Sequence, residues 1–135
     1  MLGKKLAMVF VALLLAASLA ACGSGVEAGP AGVTGNLQLT LTTRPSPPVR
    51  NQSATVVVEV KDSAGKPVEG ATVMLSSGMI GMSHGGPKGQ LEDMGGGTYE
   101  GAGKFSMGGT WRIEIEASTG GGTPTKGRFD IEVKQ

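Results

Sequence analysis

The chain has 135 residues, and its 12 basic and 11 acidic side chains give a formal net charge of +1. This balance leaves no basic surface of the kind that binds nucleic acid. The sequence has one cysteine, so it forms neither an intramolecular disulfide nor a cysteine-rich metal site. It also has one histidine, which offers little material for a catalytic triad. We therefore expect a protein that is not an enzyme.

The first element is a secretory signal. Lys4 and Lys5 precede an apolar run over residues 6–17. A membrane-spanning helix needs roughly 20 apolar residues, so this run is too short to span. Leu19-Ala20-Ala21-Cys22 follows the run, and the whole segment resembles a bacterial lipoprotein signal. The alternative is a signal that is cleaved without lipidation.

The resemblance to lipoprotein signals has consequences for location. It implies that residues 1–21 are removed and that acyl chains are attached to Cys22, the first residue of the mature protein. Several acyl chains would hold the protein firmly on a membrane. We expect an extracytoplasmic protein, anchored through Cys22 to the lipid of a bacterial membrane on its periplasmic or outer face.

Residues 22–35 predict a tether between the lipid and the folded part. Their composition is mostly glycine, alanine, serine and proline, which favours a flexible chain. Such a segment has an r.m.s. reach of roughly 20 Å, which would keep the domain close to the bilayer. Residues 36–135 are then one folded domain of ordinary size.

Apolar and polar residues alternate along the domain, which is typical of half-buried strands. The alternation is clear in four runs, residues 37–41, 54–61, 111–116 and 128–134, and weaker in residues 71–77, 89–94 and 98–105. No helical stripe continues without an interrupting glycine or proline. The sequence therefore predicts an all-β, seven-stranded antiparallel immunoglobulin-like β-sandwich. Trp111 is expected to anchor its core.

A glycine-rich loop between the third and fourth predicted strands carries Met79, Met82 and His84. Thioethers are soft ligands that favour Cu(I), and imidazole also binds copper. Since each antiparallel strand reverses direction, the loop between the fifth and sixth strands emerges at the same end of the sandwich, and it carries Met107. The pattern predicts a metal site for Cu(I) with Met79, Met82, His84 and Met107 as ligands.

These methionines also suit two roles that involve no metal. Methionine fills irregular gaps in a core that has few aromatic residues, so Met79, Met82 or Met107 would simply close the end of the sandwich. The same side chains would also suit contact with a protein partner. Met74 and Met94 lie away from this loop, and we expect them to be core or cap residues.

Four blocks of the sequence resemble the YtkA-like, FixH-related family. They are Asp-Ser-Ala-Gly-Lys-Pro-Val-Glu-Gly-Ala-Thr-Val at residues 62–73, Met-Ile-Gly-Met-Ser-His at 79–84, Gly-Thr-Tyr-Glu-Gly at 97–101 and Phe-Ser-Met-Gly-Gly-Thr-Trp at 105–111. The resemblance implies a small β-sandwich near copper-handling and respiratory-oxidase assembly systems. It also implies a role in metal supply or resistance rather than catalysis. FixH-type members are typically held by a transmembrane helix, so the lipid anchor favours the YtkA-like branch.

Two functions follow as expectations. The first is a membrane-anchored metal-binding lipoprotein that serves as a Cu(I) carrier, buffer or assembly accessory, with copper-handling or oxidase-assembly proteins as partners. The second is a non-enzymatic interaction module that binds no metal and docks its methionine-rich end on a membrane complex. They differ in the role of His84, which a metal site needs and a docking surface would tolerate losing.

Overall fold

The computed structural model describes residues 30–135. The predicted signal over residues 1–21, the predicted lipidation site Cys22 and the first part of the predicted tether, residues 22–29, lie outside the described residues. No helix in the described part of the chain is long and apolar enough to cross a membrane.

Nine strands form the described structure. In chain order they are β1 (Pro30–Thr34), β2 (Gln38–Arg44), β3 (Ser53–Lys61), β4 (Thr72–Met79), β5 (Gly89–Gln90), β6 (Glu92–Gly95), β7 (Thr98–Lys104), β8 (Gly109–Ser118) and β9 (Thr125–Val133). They form a five-stranded sheet with the order β1-β9-β8-β4-β5 and a four-stranded sheet with the order β2-β3-β7-β6. Neighbouring strands pair antiparallel throughout both sheets.

This order confirms the predicted immunoglobulin-like β-sandwich. The four-stranded sheet corresponds to strands A, B, E and D of the constant-type immunoglobulin arrangement, and β4, β8 and β9 correspond to strands C, F and G. The short strands β1 and β5 are added at the two edges of the second sheet. The longest pairing joins β8 to β9, in register from Gly109↔Val133 to Ala117↔Thr125.

The core lies between the two sheets. It is filled by the apolar side chains that recur at every second residue of the strands. In β8 the inward side chains of Trp111, Ile113 and Ile115 are buried, while Glu114 between them is exposed. Four aromatic side chains are fully buried and dominate the core: Trp111, Tyr99, Phe105 and Phe129. The prediction that Trp111 anchors the core is confirmed, and the ring of Phe105 meets it edge-on with centroids 5.2 Å apart.

The strand count differs from the predicted seven at two places. Residues 30–34, which the sequence assigns to the flexible tether, form β1 and pair with β9. Their Pro-Ala-Gly-Val-Thr sequence has no apolar alternation. The strand therefore forms because the backbone edge of β9 offers hydrogen-bond partners, and not because of a local sequence pattern. The candidate strand over residues 89–94 is divided into β5 and β6, which belong to different sheets.

Leu91 marks the crossing between those two sheets. It is buried, and its backbone N–H donates to the carbonyl of Val73 at 2.8 Å. The residues on either side of it pair with β4 and β7 respectively. A single buried side chain thus fixes the point where the chain changes sheets, which a periodicity argument does not detect.

Candidate metal-binding site

The loop after β4 is a short hairpin with an exposed tip. The backbone N–H of Met79 donates to the carbonyl of His84 at 3.1 Å, and that of Met82 donates to the carbonyl of Met79 at 3.3 Å. Gly81 allows the tight turn because its φ of 80° lies in the left-handed region. The side chain of Met82 is 49% exposed, and His84 is also exposed. The hairpin therefore presents a thioether and an imidazole to solvent.

The same hairpin is fixed to the start of β8. Met79 lies opposite Trp111 in the β4–β8 pairing, and the N–H of Ile80 donates to the carbonyl of Thr110 at 3.0 Å. Met107 precedes β8 in the β7–β8 connection and is 36% exposed. The two methionine loops thus emerge at the same end of the sandwich, as the alternation of strand directions predicts. We call this end, residues 79–84 with Met107, the methionine end.

A third connection reaches the same place. The backbone N–H of Asn51, between β2 and β3, donates to the carbonyl of Phe105 at 2.8 Å. Phe105 opens the β7–β8 connection. This contact gives the Met107 loop a fixed neighbour on the side of the four-stranded sheet.

Met79 differs from the other candidate ligands because it packs on the core. Its side chain is half-buried against the main apolar cluster. Its methyl carbon Cε lies 2.8 Å from the place where a Cβ on Gly109 would stand. Gly109 has a φ of 129°, so this position favours glycine for its backbone as well as for the room it leaves. For Met79 a packing role agrees with the structure, whereas Met82, His84 and Met107 remain open to solvent.

Trp111 contacts both methionine loops, a role that was not predicted from the sequence. Its indole nitrogen Nε1 donates to the carbonyl of Met107 at 3.0 Å. Its six-membered ring faces Gly86, where an added Cβ would stand 2.6 Å from Cζ3. The Met-Gly-Gly-Thr-Trp spacing is the sequence signal for the first contact. The second contact has no local signal, because Gly86 is far from Trp111 along the chain.

The donor set suits a soft metal. Within residues 30–135, no three His, Cys, Asp or Glu side chains lie together as a metal-binding group. Hard cations such as Mg²⁺ and Ca²⁺ need carboxylate or carbonyl oxygen ligands. The exposed donors at the methionine end are thioethers and one imidazole, which fit Cu(I).

Met74 and Met94 were expected to be core or cap residues, and the structure excludes the core role for both. Their side chains are 42% and 55% exposed. In β4 the neighbours Val73 and Leu75 face the core, so the period of two turns Met74 outward. Met94 lies in β6, a short edge strand whose residues are all exposed. Neither lies at the methionine end, and both serve as internal controls for any test of it.

The outer face of the five-stranded sheet is covered by paired charges. Cross-strand partners of β8 and β9 form three ion pairs: Arg112 with Asp130 at 2.8 Å, Glu114 with Arg128 at 3.4 Å, and Glu116 with Lys126 at 3.5 Å. Arg112 contacts both carboxylate oxygens of Asp130 and holds the pKa of that carboxyl below its ordinary value. These three ion pairs leave no excess positive charge on β8 and β9 that would attract a polyanion.

The crystal structure of the PmoD soluble domain from a Methylocystis species is similar to this chain, with a TM-score of 0.50. The two sequences are 10% identical, and the match covers 75% of this chain and 95% of that one, so it shows the shared fold alone. No curated protein matches the chain. The YtkA-like family matches residues 34–116, which is more than half of the chain and includes the methionine hairpin and the Met107 loop. The protein is therefore a member of the YtkA-like family.

Proposed function

We propose that this protein is an extracytoplasmic lipoprotein that binds Cu(I) at its methionine end and serves as a carrier, buffer or assembly accessory. The observation that carries the proposal is the junction of two methionine loops. The hairpin over residues 79–84 is hydrogen-bonded to the start of β8 through Ile80 and Thr110, beside the loop that bears Met107. Membership in the YtkA-like family supports a role in copper handling.

The exposure of the donors favours a carrier or buffer over a structural metal site. Met82, His84 and Met107 are reached from solvent, so a bound ion would exchange with a partner protein without unfolding of the domain. These three residues would be the principal ligands. Met79 would complete the set only by turning its sulfur from the core, at a cost in packing.

Strand polarity supports a site that faces the membrane. β1 runs antiparallel to β9, with Pro30 opposite Phe129 and Thr34 opposite Lys126. The opposite end of β9, Val133, pairs with Gly109 beside the methionine end. Within the described residues, β1 therefore starts nearer to the methionine end and runs away from it. A lipid on Cys22, which precedes β1, would approach the domain from the methionine end. We propose copper-handling or oxidase-assembly proteins of the same membrane as partners.

A competition titration tests the function. The mature chain with Cys22→Ser, which leaves it unlipidated, is titrated with Cu(I) against a chromophoric chelator. We expect one-to-one binding that is lost in the Met82→Ala, His84→Ala double variant and retained in Met74→Ala, whose side chain is exposed elsewhere on the domain. Failure of the unsubstituted site to compete with the chelator would contradict the proposal.

A metal-free interaction module is the second candidate function. The observation that favours it is the exposure of Ile80, Met82 and Met107 at one end of the sandwich, since exposed apolar side chains that cluster mark interaction sites. The effect of substituting His84 distinguishes the two candidate functions. His84→Ala weakens a metal site stepwise with Met82→Ala, but a docking surface tolerates it better than the loss of either methionine.

A further inference from the structure

We propose that Trp111 is the positioning residue of the methionine end, and that it holds the two methionine loops in one fixed arrangement. The inference rests on the proposed function where it concerns copper affinity. The mechanical link between the loops stands on the described contacts alone. Trp111 is fully buried, so it acts through its neighbours rather than as a ligand.

The first contact fixes the Met107 loop. The N–H of Trp111 donates to the carbonyl of Met107 at 3.0 Å. The indole has one donor and no acceptor, so this is the single hydrogen bond that its ring can donate. A buried donor that loses its partner costs more than the hydrogen bond contributes. The indole therefore holds the backbone of Met107 against the end of the core.

The second contact fixes the returning arm of the hairpin. Gly86 lies against the six-membered ring, where an added Cβ would stand 2.6 Å from Cζ3 and 2.7 Å from Oγ of Ser77. The backbone N–H of Gly86 donates to the carbonyl of Ser77 at 3.1 Å, and Oγ of Ser77 donates to the carbonyl of Pro87 at 2.6 Å. The arm is thus held between the indole ring and β4.

One rigid side chain therefore sets the separation of the loops. Trp111 lies opposite Met79 in the β4–β8 pairing, meets the ring of Phe105 at its edge and touches both loops. A pre-arranged set of donors avoids the entropy loss of ordering two loops when an ion binds. Replacement of Trp111 by phenylalanine should weaken both contacts, since a phenyl ring has neither the donor Nε1 nor the atom Cζ3 that lies nearest to Gly86.

The test compares Trp111→Phe with a matched core variant, Phe129→Leu. Both replace a fully buried aromatic residue, and Phe129 pairs with Ile113 away from the loops. The mature chain with Cys22→Ser is labelled with ¹³C in the methionine methyl groups, and the metal-free spectra are recorded first. In Trp111→Phe we expect the signals of Met107 and Met79 to broaden together while those of Met74 and Met94 keep their line widths. Phe129→Leu should leave all four line widths unchanged.

Cu(I) titration of the same samples measures the effect of each substitution on copper affinity. We expect Trp111→Phe to weaken Cu(I) binding by about tenfold, the loss expected from one hydrogen bond, and Phe129→Leu to leave it unchanged. In a Met107→Ala background, Trp111→Phe should have a smaller effect, because only its action on the hairpin through Gly86 then remains. Equal affinity in Trp111→Phe and the parent, or full additivity with Met107→Ala, overturns the positioning role.

The metal-free spectra separate the two ways to fail. A change of ring shifts nearby methyl signals by itself, so the coupling is measured from their line widths. If the parent binds no Cu(I) but the Met79 and Met107 signals of Trp111→Phe broaden together, the proposed function is wrong and the coupling of the loops is right. If neither signal broadens, the coupling is wrong whatever the affinity. Should Trp111→Phe not fold, hydrogen exchange of the indole N–H in the parent decides the matter. Slow exchange supports the bond to Met107, and exchange at the rate of a free indole overturns it.

Discussion

The phenol hydroxyl of Tyr99 donates to the carbonyl of Val68 at 2.7 Å and accepts from the backbone N–H of Ala71 at 3.0 Å. One buried side chain on β7 therefore satisfies two backbone groups of the loop that leads into β4. The arrangement links the two sheets at the end of the sandwich opposite the methionine end. It fixes where β4 begins, and hence the register that carries Met79 to the other end.

Tyr99→Phe should destabilise the fold by about 1–3 kcal/mol, because the N–H of Ala71 and the carbonyl of Val68 would lose their partner in a buried place. The free energy of unfolding from urea denaturation measures the loss. Cu(I) affinity is expected to stay unchanged, since the hydroxyl is remote from the methionine end. Stability equal to that of the parent would show that water replaces the hydroxyl at no cost.

Gly86→Ala should disrupt the methionine hairpin. A methyl group there would stand 2.6 Å from the Trp111 ring, so either the ring or the arm must move, at a cost of about 1–3 kcal/mol. Gly85→Ala is the matched control because an added Cβ at Gly85 meets no atom within 4 Å. Thermal unfolding of the two variants measures the difference. Equal melting temperatures would contradict the close packing of Gly86 on Trp111.

Substitution of Met79 separates its packing role from a ligand role. Met79→Ala should destabilise the fold by about 2 kcal/mol, because its half-buried side chain packs on the core. Met79→Leu keeps the volume and should restore most of the stability. If Met79 only packs, Met79→Leu keeps the parent's Cu(I) affinity. A loss of affinity in a stably folded Met79→Leu would make Met79 a ligand as well.

Asp130→Asn should destabilise the protein at neutral pH and have little effect in acid. Arg112 holds the pKa of Asp130 below its ordinary value of 3.8, so the ionised carboxylate is favoured in the folded state. That contribution is fully present above pH 3.8 and is lost as the pH falls through the lowered pKa of the folded state. Urea denaturation across this range measures the convergence of the two proteins. The effect should also shrink in an Arg112→Gln background, since that pair supplies it.

Lipidation should bring the methionine end close to the bilayer. The lipidated mature protein is placed in nanodiscs that carry a paramagnetic headgroup, and the methionine methyl signals are compared. We expect the signals of Met82 and Met107 to broaden more than that of Met94, because β1 runs away from the methionine end and Met94 lies near the β6–β7 turn at the opposite end. Stronger broadening of Met94 would reverse the proposed orientation.

The sequence was sufficient for the class of fold and for most of its strands. Alternation of apolar and polar residues is a local property, and β2, β3, β8 and β9 follow it closely. Alternation does not predict an element that forms because of residues distant in the chain. β1 exists because β9 offers an unpaired edge, and the division at Leu91 exists because one side chain is buried where the chain crosses between sheets.

The candidate site was likewise predicted in part from the sequence. The sequence alone determined which donors are available, since Met79, Met82, His84 and Met107 lie in two glycine-rich loops that strand reversal places at one end. Only the tertiary structure decided how they differ. The β4–β8 register set Met79 on the core beside Gly109, and the indole of Trp111 linked Met107 to Gly86. Burial and contact across the sandwich depend on residues that are distant in the chain, so a local sequence pattern does not predict them.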